Sequence, residues 1–285
     1  MSLIQTLQTR AEAFRQMHLG SDVVVLPNAW DHASAALMVA AGFPAIATSS
    51  AGIAFAQGYP DGERLGRARM LELAGRIAAQ STVPVSADLE AGYGPAPEDV
   101  AATVAGAIEA GLVGCNIEDV DPRTGRLFDI DLAVARIHAG RAAADRLKVP
   151  FVLNARTDPY LARIGGAEAC FAESVRRANA YLEAGACCAF VPGPGDAETV
   201  GKLVKAIRGP LNVLSAFAGR AGLSLSDARR VGVRRLSIGG SLMLTTATLV
   251  RRVLADIQTK GDFGYAVDSM TNRDMNALME SLPKL

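Results

Sequence analysis

Short apolar segments recur along the chain, and each gives way to polar residues or glycine at its carboxyl end. They are rich in Val, Ile, Leu and Ala and too short to form helices of their own, so the pattern predicts buried strands. The predicted strands span residues 23–28, 45–50, 83–90, 114–119, 150–157, 187–193, 211–217 and 234–240.

Stretches of helical composition lie between these segments. Three of them end in the same Ala-Gly step, at Gly42, Gly111 and Gly185, shortly before the next predicted strand. A glycine at this point is typical of a helix C-terminus followed by a short turn. The predicted helices span residues 3–18, 31–41, 97–110, 131–147, 167–184, 199–207, 241–257 and 271–282.

The alternation of strand and helix predicts the fold class. Continuous apolar strands separated by helices favour a parallel sheet covered by helices, and eight such units close into a (β/α)8 TIM-type barrel. An open, doubly wound α/β sheet is the alternative, although no Gly-x-Gly-x-x-Gly motif follows the first strand. We expect residues 1–285 to form one barrel domain with an additional N-terminal helix. The surplus C-terminal helix could pack on, or swap with, a neighbouring subunit, which favours a homo-oligomer, either a dimer or a tetramer.

Composition and charge narrow the choice of partners. Half of the residues are hydrophobic and a fifth are charged, as expected for a large buried core. Lys plus Arg equals Asp plus Glu at 29 each, so the chain has no basic field for nucleic acid or an anionic membrane. No apolar run reaches the length of a membrane span, and no signal-peptide pattern begins the chain. We therefore expect a cytoplasmic protein that binds a small molecule.

Acidic residues follow two of the predicted strands, at the end of the barrel where catalytic groups lie. The two-residue period of a strand would place Asp88 and Glu90 on one face, with Glu118 on the next strand at a comparable depth. Two like charges about 4 Å apart repel by roughly 4 kcal/mol at an effective dielectric constant near 20, so the group needs a counter-ion or a shared proton. Oxygen ligands favour Mg²⁺ or Mn²⁺. The alternative is an ordinary ion network with Arg156, Arg123 or Arg126.

Further polar residues complete the candidate site. Arg156 shares a strand face with Asn154, and a guanidinium at a barrel mouth is suited to binding a carboxylate, although a plain salt bridge is the alternative. Ser49 and Ser50 precede Ala51, so hydroxyl and backbone N–H groups there could hold an oxyanion or could form a simple turn.

Two other polar positions belong to the candidate set. Asp61 lies between glycines in the loop GYPDG, where it is either functional or a generic turn aspartate. Asn212 comes from the seventh predicted strand and is a candidate substrate-binding residue.

Taken together, these motifs resemble the isocitrate lyase and phosphoenolpyruvate mutase superfamily. The resemblance runs from LPNAWD to IGGSLM, and its most specific parts are ADLEAGYG, NIED and ART in the same order and at similar distances. It implies that Asp88 binds the metal, with Glu90 and Glu118 holding metal-bound water, and that Arg156 binds the substrate carboxylate.

The same resemblance gives roles to three more residues. Ser49 and Ser50 correspond to the segment that receives the carboxylate and keto oxygens of the substrate, and Asp61 corresponds to a further functional aspartate. It implies Mg²⁺ that chelates a 2-oxo acid and stabilises an enolate.

The loop after NIED departs from the superfamily pattern. It reads VDPRTGRLFDI and lacks the lyases' Lys-Lys-Cys-Gly-His-Cys-type segment as well as the mutase's Lys and Asn residues. We therefore predict a Mg²⁺-dependent lyase or hydrolase that cleaves a C–C bond in a small 2-oxo or 2-hydroxy carboxylic acid. One alternative is a 2-oxo-acid binding protein with little or no turnover. Another is a P–C bond mutase or hydrolase of the phosphonopyruvate type.

Overall fold

The apolar segments form a parallel sheet, with a strand at each of the eight predicted positions. In the computed structural model, which describes residues 3–217 and 219–283, nine segments pair into this sheet. We number its strands β1 (Val24–Leu26 and Asn28–Ala29), β2 (Ile46–Thr48), β3 (Val85–Asp88), β4 (Gly114–Ile117), β5 (Val152–Arg156), β6 (Cys188–Phe190), β7 (Leu211–Leu214) and β8 (Arg235–Ser237).

The two segments of β1 close the sheet into a barrel. The first segment pairs in parallel with β8, and the second pairs in parallel with β2. Pro27 lies between them, and because proline has no N–H it cannot donate to a ladder. Its carbonyl still accepts a hydrogen bond from Ala47. The two ends of the sheet thus belong to one strand, which confirms the predicted (β/α)8 barrel and shows that the open-sheet alternative is wrong.

Helices cover the barrel, and each predicted helix is present with its ends shifted by a few residues. In the described part of the chain, three helices that the sequence pattern did not identify have seven residues or fewer, namely Ser50–Ala56, Pro159–Ala162 and Leu225–Val231. The pattern also did not identify Arg67–Ala79, which has 13 residues. The helices span Leu3–Leu19, His32–Ala40, Ser50–Ala56, Arg67–Ala79, Pro97–Glu109, Ile130–Arg146, Pro159–Ala162, Ala167–Glu183, Ala197–Ala206, Leu225–Val231, Ser241–Lys260 and Asn272–Glu280, with a 3-10 turn at Gly264–Ala266.

The N-terminal helix packs against the amino-terminal end of the barrel. Phe14 of this helix is fully buried, and its ring lies against Gly114, the first residue of β4. A Cβ atom at Gly114 would lie 2.7 Å from the carbonyl oxygen of Val152 and 3.1 Å from the Phe14 ring, so no side chain fits there. A close-packed interior of this kind leaves the carboxyl ends of the strands as the open face of the barrel.

The C-terminal segment is the least buried part of the described chain. No residue of the helix Ser241–Lys260 is buried, although the helix carries large apolar side chains. The following helix, Asn272–Glu280, packs against His32–Ala40 of the same chain. The surplus helix predicted from the sequence is therefore present, and its exchange between subunits stays a prediction.

Helix length and hydropathy also bear on membrane association. Among the described residues, none of the helices is both long enough and apolar enough to cross a bilayer. The cytoplasmic location and the assignment of residues 1–285 to one domain stay predictions.

Candidate active site

A cavity of about 340 Å³ lies at the carboxyl ends of the barrel strands. This is the face of a (β/α)8 barrel that carries active sites. The residues predicted from the sequence that line it are Ser49, Ser50, Ala51, Asp61, Asp88, Glu90, Glu118 and Arg156. Asn154 and Asn212 are also in the predicted set, but both side chains are fully buried and neither lines the cavity.

Asp88 is the last residue of β3 and contributes its carboxylate to the cavity. Its Oδ2 accepts hydrogen bonds from the hydroxyl of Ser50 at 2.8 Å and from the backbone N–H of Ser50 at 3.3 Å. Its Oδ1 is buried and has no hydrogen-bond partner among the residues that the structure describes. Leaving a buried polar atom unpaired costs about 1–3 kcal/mol, so this oxygen is suited to a ligand or an ion.

Glu90 lines the same cavity, but strand periodicity does not place it there. β3 ends at Asp88, and Glu90 lies in the following turn with a left-handed φ of +52°. The prediction that both acids share one strand face is therefore wrong, because the chain has already left the sheet. The Glu90 carboxylate accepts hydrogen bonds from the backbone N–H of Glu63 and from the hydroxyl of Tyr93. Burial, together with Asp88 and Asp61, raises the pKa of Glu90 to about 7.

Glu118 follows β4 and forms an ion pair with Arg156, the last residue of β5. Nη1 of Arg156 donates to Glu118 at 2.5 Å, and its Nε donates to Asp158 at 2.9 Å. Burial raises the pKa of Glu118 well above its ordinary value, against the opposing effect of Arg156. None of the described residues accepts a hydrogen bond from Nη2 of Arg156, so part of this guanidinium stays available to a ligand.

The two serines have different roles in the structure. Ser49 is the N-cap of the helix Ser50–Ala56, and its hydroxyl accepts a hydrogen bond from the backbone N–H of Gly52 at 3.1 Å. The Ser50 hydroxyl donates to Asp88, so it holds the carboxylate rather than standing free for an oxyanion. Ser49 thus begins a helix rather than forming a simple turn, and the oxyanion-binding role of the two serines stays a prediction.

Asp61 adds a further carboxylate from an exposed loop. Partial burial and the charge of Asp88 raise the pKa of Asp61 above its ordinary value. Burial is the larger cause of this shift in pKa, and the repulsion from Asp88 adds to it.

Two asparagines outside the predicted site residues also line the cavity: Asn28, a polar residue at the end of the first predicted strand, and Asn116, which sequence reasoning missed. Asn28 lines the cavity, and its Oδ1 accepts hydrogen bonds from the backbone N–H groups of Ile238 and Gly239 at 3.1 and 2.8 Å. It thereby connects the end of β1 to the glycine-rich loop after β8. Asn116 on β4 also lines the cavity, and its Oδ1 accepts from Nδ2 of Asn154 at 2.6 Å. Asn116 pairs in register with Asp88, which places its side chain beside that carboxylate.

The second acid of NIED, Asp119, lies outside the cavity lining and is fully partnered. Its Oδ2 accepts from Thr157 at 2.6 Å, from the hydroxyl of Tyr181 at 2.7 Å and from Arg177 at 3.3 Å. Its Oδ1 accepts from the backbone N–H of Asp158 at 3.0 Å. These contacts fix the segment that carries Arg156, so Asp119 supports the site from behind.

The charges of the cavity fit a divalent cation. Its ionisable lining residues are four acids and one arginine: Asp61, Asp88, Glu90, Glu118 and Arg156. Among the described residues, no group of three or more His, Cys, Asp or Glu side chains is placed to hold one metal ion directly. Mg²⁺ commonly binds through one or two carboxylates and keeps several waters, so a single direct ligand is sufficient. The unpartnered Oδ1 of Asp88 fits that ligand, and the other acids fit the hydrated face of such an ion.

Comparisons with known proteins identify relatives along most of the chain. The phosphoenolpyruvate phosphomutase family profile matches residues 14–258. An uncharacterised protein of Mycobacterium tuberculosis (strain CDC 1551 / Oshkosh) is 35% identical over 247 residues, which cover 86% of this chain and 89% of that protein. The probable 2-methylisocitrate lyase 2 of Corynebacterium glutamicum is 30% identical over 278 residues, covering 93% of this chain and 86% of that protein.

Solved structures share the architecture. A crystal structure from Burkholderia cenocepacia J2315, assigned as a lyase/mutase, has a TM-score of 0.91 at 36% identity and covers 96% of this chain and 98% of that chain. Oxaloacetate acetylhydrolase in complex with oxalate has a TM-score of 0.84 at 26% identity, covering 94% and 93%. Phosphonopyruvate hydrolase in complex with oxalate and Mg²⁺ has a TM-score of 0.82 at 26% identity, covering 95% of each chain. The chain therefore belongs to the phosphoenolpyruvate phosphomutase family, within the superfamily of isocitrate lyase and phosphoenolpyruvate mutase.

Proposed function

We propose that the protein is a Mg²⁺-dependent lyase or hydrolase that cleaves a C–C bond in a small 2-oxo or 2-hydroxy carboxylic acid. The observation that carries this proposal is the cavity carboxylate of Asp88, whose buried Oδ1 has no partner within the described chain. A divalent cation there would be coordinated by this oxygen and would offset the negative charge of the surrounding acids. Mn²⁺ has similar ligand preferences and is the alternative ion.

The acids of the cavity have distinct roles in this proposal. Asp88 would bind the ion directly, while Glu90 and Glu118 would accept hydrogen bonds from the water molecules of its hydration shell. The ion would act as a Lewis acid on the 2-oxo and carboxylate oxygens of the substrate and so favour the enolate that bond cleavage leaves. Asp61 would accept the proton that the substrate hydroxyl group, or an attacking water, loses as the C–C bond breaks. Its carboxyl group borders the cavity, and its raised pKa makes the carboxylate a stronger base.

Arg156 would orient the substrate through its carboxylate. Two of its nitrogens are held by Glu118 and Asp158, so the guanidinium is fixed in place before a ligand arrives. The centroid of the Phe190 ring lies 5.7 Å from the guanidinium carbon, so the ring faces the guanidinium on another side. A fixed donor of this kind loses little conformational entropy on binding.

The complexes of two structural neighbours support the substrate class. Oxaloacetate acetylhydrolase and phosphonopyruvate hydrolase were each crystallised with oxalate, the second with Mg²⁺ as well. Oxalate has two adjacent carboxylates and resembles the enolate of a 2-oxo acid in shape and charge. A cavity with one cation site and one fixed arginine suits such a ligand.

The rest of the substrate would contact a different surface. Val120 and Pro122 belong to the hairpin after β4 and line the cavity together with Phe190, Pro192 and Leu214. These side chains are apolar, so we expect the group attached to the 2-oxo acid to be small or apolar at this end. By the sequence resemblance, this hairpin lies where the lyases of the superfamily carry their cysteine-containing segment.

The proposal can be tested by a screen with and without Mg²⁺. Purified protein would be incubated with oxaloacetate, 2-oxoglutarate, 2-methylmalate and related acids, and product formation followed by ¹H NMR. We expect Mg²⁺-dependent formation of two fragments from at least one acid, abolished in the Asp88→Asn variant. Tight binding of 2-oxo acids without products would instead identify a binding protein. Turnover of phosphonopyruvate alone would identify P–C bond chemistry.

We also propose that the protein is a homo-oligomer. The helix Ser241–Lys260 exposes apolar side chains along its length, including Leu249 and Leu254 at 54% and 58% of their surface. Exposed apolar area of this extent is typical of an interface. Light scattering coupled to size-exclusion chromatography should give a dimer or a tetramer, and Leu254→Glu should shift the population towards smaller species. A monomeric wild-type protein at micromolar concentration would contradict the proposal.

A further inference from the structure

A fully buried arginine lies in the barrel interior, one step deeper than the cavity. Arg235 is the first residue of β8 and has no exposed surface. Ser237 lines the cavity, and two residues along a strand share one face, so Arg235 lies on the same inner face. Its Nη2 donates to Oδ1 of Asn116 at 3.4 Å, whereas its Nε and Nη1 have no partner within the described residues.

A buried, almost unpaired guanidinium needs a physical reason. Burial lowers the pKa of Arg235 to about 10, so the group stays charged at neutral pH. No carboxylate forms an ion pair with it among the described residues, unlike Arg177, which is paired with Asp119 and Glu173. A buried charge without an ion-pair partner destabilises a fold, so a simple packing role does not explain the arginine.

The two asparagines in front of Arg235 show what its charge can do. Asn154 donates through Nδ2 to Oδ1 of Asn116 at 2.6 Å. An isolated pair of amides can hydrogen-bond in either of two orientations, because each amide has one donor and one acceptor end. A guanidinium is a donor only, so the atom of Asn116 that faces Arg235 must be the oxygen. The two donors together fix the orientation of the Asn116 amide.

This orientation leaves one polar group of Asn116 for the cavity. With Oδ1 engaged on the inner side, Nδ2 is the remaining polar atom of a side chain that lines the cavity. None of the described residues accepts a hydrogen bond from it. Asn116 also pairs in register with Asp88, so its side chain lies beside the carboxylate assigned to the metal ion.

We propose that Arg235 is a positioning residue, which holds the Asn116 amide so that its NH₂ group donates to an oxygen of the bound acid. Asn116 is then a substrate-binding residue, and Arg235 acts through it without touching the substrate. The inference rests on the proposed function for the identity of the ligand. The amide orientation itself depends only on the contacts among Arg235, Asn116 and Asn154.

Calorimetric titration of oxalate in the presence of excess MgCl₂ tests the proposal. Asn116→Ala should weaken oxalate binding about 10-fold or more, because a hydrogen bond to a charged ligand is lost. Arg235→Met keeps most of the side-chain volume, removes the charge and should weaken binding by a similar factor. The double variant should bind no more weakly than Asn116→Ala alone, since Arg235 acts only through Asn116.

Stability measurements separate this role from a structural one. Replacing a buried, unpaired charge by an apolar side chain is often neutral or stabilising, so Arg235→Met should keep or raise the melting temperature while it loses affinity. Leu203→Ala is the control, because Leu203 is fully buried in a core cluster that does not line the cavity. It should lower the melting temperature and leave oxalate affinity unchanged. Wild-type affinity in Arg235→Met, or additive losses in the double variant, would overturn the proposal.

Neutron crystallography makes the test independent of the proposed function. It distinguishes the oxygen and nitrogen of an amide through the deuterium atoms. We expect one Asn116 orientation in the wild-type protein and both orientations in Arg235→Met. If the wild-type protein does not bind oxalate but shows this change, the proposed function fails and the orienting role of Arg235 stands. If the orientation is the same in both proteins, the role of Arg235 is wrong.

Discussion

Asp88 and Asp119 lie at the carboxyl ends of neighbouring strands, and the comparison between them separates a binding group from a structural one. Asp119 is almost completely buried, and both of its oxygens accept hydrogen bonds. Asp88 has one oxygen that accepts from Ser50 and one that has no partner among the described residues. The two side chains have the same chemistry, but only Asp119 has hydrogen-bond donors for both of its oxygens within the described residues.

The difference follows from what surrounds each carboxylate. Tyr181 and Arg177 reach Asp119 from the helix Ala167–Glu183, which covers the outside of the barrel. Asp88 instead borders the cavity, where its neighbours are other acids. A carboxylate that is satisfied by protein donors contributes to stability, whereas one that is left incomplete among like charges is available to a cation.

The largest expected effect is that of Asp88→Asn. The substitution preserves shape but removes the charge, so Mg²⁺-dependent oxalate binding should weaken about 1,000-fold, equivalent to about 4 kcal/mol. The free energy of unfolding should stay the same or rise, because repulsion among the cavity acids is relieved. Calorimetry and urea unfolding measure the two quantities. Asp145→Asn, on the exposed side of a helix, is the matched control and should leave binding intact.

Asp119→Asn should show the opposite division of effects. The amide cannot accept from all of its present donors, and Arg177 would lose a buried ion-pair partner. We expect the free energy of unfolding to fall by about 3 kcal/mol, as measured in urea. Oxalate affinity of the folded protein should change far less. A large loss of affinity at unchanged stability would remove the distinction between the two acids.

Arg156→Lys is expected to have an intermediate effect. An ammonium group cannot keep the contacts to Glu118 and Asp158 while also donating to a carboxylate, so oxalate affinity should fall about 10- to 100-fold. Titration calorimetry gives the affinity, and circular dichroism checks that the fold is intact. Arg176→Lys, in an exposed ion pair with Glu173, is the control of the same chemistry. Unaltered affinity in Arg156→Lys would make Arg156 a structural residue.

The smallest effect at neutral pH is expected for His18→Leu. Nε2 of His18 is buried and, like Oδ1 of Asp88, has no hydrogen-bond partner within the described residues. Unlike Asp88, His18 does not line the cavity. Its substitution should therefore leave oxalate affinity unchanged. A loss of affinity would show that an unpartnered atom outside the cavity also acts on the site.

The lowered pKa of His18 leads us to expect that the free energy of unfolding depends on pH. Burial lowers the pKa of His18 from 6.5 to about 4, while the unfolded chain binds a proton near pH 6.5. The contribution of neutral His18 to the free energy of unfolding should thus be fully present above pH 6.5. It should fall by on the order of 3 kcal/mol as the pH drops towards 4. His18→Leu should flatten this part of the profile in urea unfolding at a series of pH values. An equal slope in both proteins would assign the acid loss to other groups.

The site could be predicted from the sequence only in part. Asp88, Glu118 and Arg156 end parallel strands, and such ends meet at one face of a barrel whatever the details of packing. Glu90 reached the same cavity for a different reason, since a turn with positive φ, not strand alternation, directs it there. Asn116 was missed because its place beside Asp88 depends on strand register, which a single chain does not reveal.

The depth of a side chain inside the barrel is also not predictable from the sequence. Asn154 and Asn116 both follow strand periodicity onto the inner face, yet only one of them lines the cavity. Depth in a barrel depends on the tilt and stagger of the strands, which are properties of the closed sheet. The different hydrogen-bonding of Asp88 and Asp119 also depends on tertiary structure, because Tyr181, which donates to Asp119, lies on a helix from a distant part of the sequence.

The sequence by itself determined the alternation of strands and helices, the superfamily and the acids and arginine that end the strands, because these depend on local patterns of polarity. The tertiary structure decided which carboxylate oxygen lacks a partner among the described residues, which asparagine lines the cavity and that Arg235 is buried with a single hydrogen bond to that part of the chain. Those properties arise from contacts between residues that are far apart in the chain, so no local pattern encodes them.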